Sequence, residues 1–193
     1  NDHAEAVSPD DMVASVMSGR IRTIDVIRVT TTAEGKPWHR YAHSYVGFGM
    51  TPKIGRVLTE ARPNVLTEKW YVLKHIFSFR HVRLESDGKV KRYHNLIAAT
   101  VDRMSKVIKL DPTSAVDDGK MEIYASEYLS PFDTLKDLFL AGVRGVPRTT
   151  RVKTLKLRST GKLMIQLDGE VSSIDADSDI TLTCEKDRLR TLA

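Results

Sequence analysis

Three Asp-Gly dipeptides, Asp87-Gly88, Asp118-Gly119 and Asp168-Gly169, punctuate short runs of β-branched and apolar residues. Both central residues of a two-residue type I′ turn need positive φ, and Asp-Gly supplies this at little cost, so a dipeptide of this kind between alternating runs marks a hairpin. Val82 and Leu84 alternate ahead of the first dipeptide, and Val90 and Tyr93 follow it. Met121 to Ala125 follows the second, and Leu163, Ile165 and Leu167 lead into the third. A period of two with tight turns predicts antiparallel strands, not the long crossovers of a βαβ alternation.

Other segments extend the pattern. Ile21, Ile24, Val26, Ile27 and Val29, then Thr30-Thr31-Thr32, predict a strand ended by the turn Glu34-Gly35-Lys36-Pro37, with Trp38 to Phe48 as its hairpin partner. Asn95 to Val101 reads as a buried strand, and Val152/Leu155/Leu157 and Ile180/Leu182 alternate again. Ser8-Pro9-Asp10-Asp11 predicts a helix start with apolar Met12, Val13, Val16 and Met17 at helical spacing and Gly19 as its stop. Thr51 to Phe79, interrupted at Pro63, and the segment from Ser130-Pro131-Phe132-Asp133 to Gly145-Val146-Pro147 also read as helical. The expected fold is mainly β with two or three helices: an antiparallel β-sandwich or curled antiparallel sheet, one domain over residues 1–193.

With 41% hydrophobic and 28% charged residues, the 193-residue chain is neither disordered nor fibrous. Its longest apolar runs, such as Leu96-Ile97-Ala98-Ala99-Thr100-Val101, fall far short of the ~20 residues of a spanning helix. The single Cys184 excludes an internal disulfide and fits a reducing, cytoplasmic setting. The six histidines show no ligand spacing, so each reads as structural. The net charge of +5 is mild, but Arg80 to Lys109 and Arg144 to Lys162 are rich in Lys and Arg, which suits phosphate-bearing partners or an anionic membrane surface. Aromatic residues make up 7% and do not interleave with the basic stretches, so no nucleic-acid partner is expected. The opening residues carry no leader pattern and no initiator Met, which points to a piece of a longer chain.

In order along the chain, Asn1-Asp2, Tyr45-Val46-Gly47-Phe48-Gly49-Met50, Ala115-Val116-Asp117-Asp118-Gly119-Lys120-Met121-Glu122-Ile123, Ile165-Gln166-Leu167-Asp168-Gly169-Glu170-Val171 and Arg188-Leu189-Arg190-Thr191-Leu192 resemble the diacylglycerol kinase catalytic family. The family includes, more distantly, sphingosine and ceramide kinases, and the NAD kinases are a related family that shares its architecture. The resemblance implies an ATP-dependent, Mg²⁺-dependent lipid kinase acting on diacylglycerol or a related hydroxyl lipid, cytoplasmic and peripherally associated with an anionic membrane. It implies that this chain is the C-terminal β-sandwich domain, partnered by an N-terminal ATP-binding domain of the same protein, and it leaves room for a homodimer. The Gly-Gly-Asp-Gly-Thr loop of that first domain is absent here, as are substitutes for it.

By this resemblance Asp168 is the general base and Glu170 its supporting carboxylate. Asp118, with the main-chain carbonyls of Ala115 and Lys120, would hold a structural Mg²⁺. Asn1 and Asp2, the end of the nucleotide-domain motif, would face the cofactor. Two other readings stand beside this one: a non-enzymatic β-sandwich module binding anionic lipid or a protein partner, and an NAD kinase. The second lacks the Gly-Ser-Thr-Ala-Tyr-type segment it would need in this half.

Overall fold

The computed structural model of the chain describes residues 8–53, 81–101, 117–128, 130 and 150–192, and strands dominate within them. The one complete helix there, α1 (Pro9–Ser18), starts as expected. The Ser8 hydroxyl accepts from the Asp11 amide at 3.1 Å while the Asp11 carboxylate accepts from the Ser8 amide at 3.3 Å, a reciprocal cap for two open donors. Gly19 ends the helix in the left-handed region at φ 63°. Its apolar residues Val13, Val16 and Met17 nonetheless stay exposed, so capping rather than burial defines this helix. Beyond Lys53 the helix expected over Thr51 to Phe79 lies outside the described residues, as does the one expected after Ser130.

The strands are β1 (Ile21–Ala33), β2 (Lys36–Ala42), β3 (Tyr45–Gly49), β4 (Val82–Ser86), β5 (Lys89–Ala99), β6 (Met121–Glu127), β7 (Thr150–Val152), β8 (Thr154–Ser159), β9 (Leu163–Leu167), β10 (Glu170–Ile174) and β11 (Asp179–Leu192). All pair antiparallel in one sheet of order β10-β9-β3-β5-β4-β8-β11-β1-β2, with β6 added beside β5 and β7 beside β6. The short link over residues 160–162 joins β8 to β9, four places apart in that order, so the sheet must curl back on itself. Asp175 fastens the curl from beyond β10: its amide donates to the Thr32 carbonyl at 3.2 Å, and its carboxylate accepts from the Gly35 amide at 2.8 Å. Ile27, Val29, Phe48, Leu84, Ile165, Ile174, Ile180 and Leu182 fill the enclosed core and are fully buried, each stabilising the fold by about 1.5–3 kcal/mol relative to exposure.

Two of the three Asp-Gly pairs make the expected turns, with positive φ at both residues: 52° and 72° at Asp87-Gly88, 47° and 99° at Asp168-Gly169. Asp118-Gly119 does not, since only Gly119 is left-handed there. The run from Trp38 to Phe48 also departs from a single hairpin partner. β2 pairs with β1, but the strand stops at Ala42, and after His43-Ser44 the chain re-enters the sheet as β3 between β5 and β9. This break supplies the most distinctive polar site of the described chain.

Candidate functional site

At the break, three successive amides point at one side chain. The His43 amide donates to Asp168 Oδ2 at 2.7 Å, and the Ser44 and Tyr45 amides donate to Asp168 Oδ1 at 2.9 and 3.0 Å. The imidazole of His43 adds a fourth contact, its Nδ1 lying 2.7 Å from Asp168 Oδ2. The carbonyls of His43 and Ser44 are held from the other side by Thr100, whose amide donates to Ser44 at 3.0 Å and whose hydroxyl donates to His43 at 2.9 Å. The backbone polar groups of an irregular corner must find partners, and here one carboxylate and one threonine meet that need.

Asp168 can reach the corner because the β9–β10 turn carries it past the end of β3: Leu167 is the register partner of Val46, and the Asp168 amide donates to the Tyr45 carbonyl at 3.2 Å. Burial, reinforced by the Asp168 charge, pushes the pKa of the Tyr45 phenol above its ordinary value, while a hydrogen bond from the Gly169 backbone works the other way. Glu170 takes a different position. It opens β10 opposite Leu167 and is exposed, and its side chain forms no hydrogen bond or ion pair among the described residues, so the structure does not join it to Asp168.

The glycines of the Tyr45 to Met50 segment have steric reasons. Gly49 has φ 87°, and a Cβ there would sit 2.3 Å from the His94 carbonyl oxygen; at Gly47 it would sit 2.8 Å from Thr51 Cγ2. Both are places where only hydrogen fits, which lets β3 lie close to its neighbours.

Ala99 of β5 is the register partner of both Tyr45 and Glu122, so Glu122 shares this end of the sheet with the corner, two strand spacings or roughly 10 Å away. Glu122 is buried and neither of its carboxylate oxygens accepts a hydrogen bond; Arg151 Nε approaches Oε1 at 3.5 Å, an ion pair without a hydrogen bond. Arg151 also pairs with Asp118 Oδ2, and Asp118 Oδ1 accepts from the Lys120 amide at 2.9 Å. The Asp118 carboxylate thus accepts from a guanidinium and an amide, while the Ala115 carbonyl that the family resemblance adds to a Mg²⁺ shell lies outside the described residues. Asn1 and Asp2 lie outside them as well.

Sequence reasoning missed three polar residues. His43 carried no spacing signal, and its partner is 125 residues away. Asp25 is buried at a β1 irregularity between Ile24 and Val26, where it accepts the amides of Gly119 at 2.6 Å and Asp187 at 2.9 Å. Arg151 appeared only as one member of a basic stretch. A second feature, a cleft of about 450 Å³ beyond the far end of β3, is lined by Gly49, Lys53, His81, Arg83, Thr160 and Lys162 among others, with no carboxylate among the described residues of its wall. The surrounding cations and partial burial lower the His81 pKa, burial acting most.

No family model and no curated protein matches this chain. Solved structures do. A crystal structure of a diacylglycerol kinase from Bacillus anthracis strain Sterne matches with a TM-score of 0.56 at 14% identity, covering 96% of this chain and 60% of that one. Two further structures described as diacylglycerol kinases from the same organism match at TM-scores of 0.60 and 0.57, again at 14% identity, over 96% and 94% of this chain and 62% and 58% of theirs. The architecture is thus a mainly β, curled antiparallel domain with an anchored carboxylate corner at one end. Its fold is the diacylglycerol kinase-like fold, and the chain spans about three fifths of the length of the structures it matches.

Proposed function

We propose that this chain is the substrate-side domain of an ATP-dependent lipid kinase that transfers a phosphoryl group to the hydroxyl of diacylglycerol or a related lipid. The observation that carries the reading is the fold shared with diacylglycerol kinases across nearly the whole chain. The chemistry needs a fixed proton-accepting centre and positive charge on the transferring group. The Asp168 corner provides the first, because its carboxylate is held by three amides and in turn holds the His43 imidazole in place. Mg²⁺ carried with ATP supplies the second when bound. By the family resemblance an ATP-binding domain of the same protein completes the site, and the lipid is met at the cytoplasmic face of an anionic membrane. Glu170, exposed beside the turn, acts as a supporting charge rather than a ligand of Asp168.

The test is transfer from labelled ATP to a panel of diacylglycerol, sphingosine, ceramide and NAD, using the natural protein that carries this sequence beside its Asp168→Asn variant. Transfer to one lipid that collapses in the variant is expected. A folded protein that phosphorylates none of them sinks the reading. In that case the basic cleft around Arg83 and Lys162 favours the second reading, a module that binds anionic lipid without turning it over.

A further inference from the structure

We infer that the proton acceptor of this site is the imidazole of His43 and that Asp168 is the residue that positions it. The inference rests on the lipid-kinase reading and changes the role of Asp168 within it. A carboxylate offers about four lone-pair directions. Three of those on Asp168 receive backbone amides and the fourth receives His43 Nδ1, with its side chain only 19% exposed. Taking up a substrate proton at Asp168 would require displacing one of these donors, either a main-chain N–H of the 43–45 corner, left unpaired, or the imidazole itself.

His43 has the opposite standing. An ionised carboxylate only accepts, so the neutral ring must place its proton on Nδ1, which leaves the Nε2 lone pair free. Nε2 makes no hydrogen bond among the described residues, and the side chain is 57% exposed. Its backbone is pinned through both its amide and its carbonyl, by Asp168 and by Thr100. A carboxylate that fixes tautomer and orientation, with an imidazole whose far nitrogen is open, is the division of labour by which an Asp–His pair activates a hydroxyl.

The balanced step is as follows. The lipid hydroxyl oxygen forms a bond to the γ-phosphorus of a nucleoside triphosphate while the bond from that phosphorus to the bridging oxygen breaks, releasing the nucleoside diphosphate. The hydroxyl proton passes to His43 Nε2, the imidazolium is stabilised by Asp168, and the proton then leaves to water.

Two measurements on the natural protein carrying this sequence decide it. In selectively ¹⁵N-histidine-labelled protein, the neutral His43 ring is expected to show the Nδ1–H tautomer, and Asp168→Asn is expected to remove that bias. An Nε2–H tautomer in the unaltered protein overturns the inference. In the kinase assay, His43→Ala is expected to lower kcat by about 10²–10⁴-fold with KM little changed, and added imidazole is expected to restore part of the rate. His43→Gln, which keeps an amide beside Asp168, is expected to fold normally and to remain equally slow. Lipid phosphorylation that survives His43→Ala overturns the base assignment alone, whereas absence of transfer in the unaltered protein overturns the lipid-kinase reading itself.

Discussion

The buried residues Asp25 and Cys184 show how much chemistry one strand irregularity can hold. Cys184 faces Ile27 across β1 and β11, its Sγ 3.8 Å from Asp25 Oδ2. Burial, with the Asp25 carboxylate adding to it, pushes the thiol up to about 12 from an ordinary 9.0. The sign follows directly: the native state holds the neutral thiol where the unfolded chain ionises. The stability this contributes is complete below pH 9 and is lost as pH rises toward 12, at about 1.4 kcal/mol per unit from this group. Tyr45 and Tyr93, both raised by burial, push the same way at still higher pH. Urea midpoints measured from pH 7 to 11 should therefore fall more steeply in the parent protein than in Cys184→Ala. Parallel curves would show that the thiol does not carry the effect. A thiol reagent at pH 8 should label Cys184 only after unfolding, because the reactive species is the thiolate. Nothing in the sequence around Cys184 announces this, since the Asp25 partner lies 159 residues away. Asp168 was legible as a hairpin tip from Asp-Gly alone, but its hold on His43, Ser44 and Tyr45 depends on a curl of the sheet that local pattern does not encode.

Strands were legible wherever apolar alternation met a turn residue, as at Leu84, Asp87-Gly88 and Tyr93, because period and turn chemistry are both local. The β2–β3 boundary was not, because Trp38 to Phe48 keeps its β-propensity through His43-Ser44; what divides it is the choice of different neighbours, β1 on one side and β5 and β9 on the other. Asp118-Gly119 misled in the other direction: it sits beside the three-residue strand β7, whose Arg151 serves as its cation. That clamp predicts a measurable asymmetry. Arg151→Met leaves the buried Glu122 carboxylate without its counter-charge and should lower stability by about 2–3 kcal/mol, less than for a wholly buried pair because Arg151 is partly exposed. Adding Glu122→Gln should recover much of the loss, since the charge that needed compensation is gone. Equal unfolding free energies for Arg151→Met and the parent protein, measured by denaturant titration at pH 7, would refute the clamp.

At the scale of the whole molecule the curl separates two polar features along β3: the Asp168 corner at the Tyr45 end and the basic cleft at the Gly49 end. Five residues of strand set them roughly 13 Å apart, a span that suits a ligand with a reacting hydroxyl at one end and anionic surroundings at the other. Arg83 and Lys162 line the cleft and form no ion pair in the described structure, so their charge is available to an outside anion. No described helix is long and apolar enough to cross a membrane, and surface charge of this kind is one means of attraction to an anionic bilayer. A basic residue near an anionic surface contributes about 1 kcal/mol, so Arg83→Gln with Lys162→Gln should weaken binding of the natural protein to phosphatidylserine-containing vesicles by about tenfold or more. Raising salt should weaken the parent protein toward the same level, because exposed charges are screened within about 10 Å at 0.1 M. Sedimentation with vesicles of neutral and anionic composition separates the cases. Binding that is unchanged by the double substitution would remove the cleft from the membrane-facing surface, and binding that is indifferent to lipid charge would show that apolar contact, such as the exposed Val13, Val16 and Met17 of α1, carries the attachment instead.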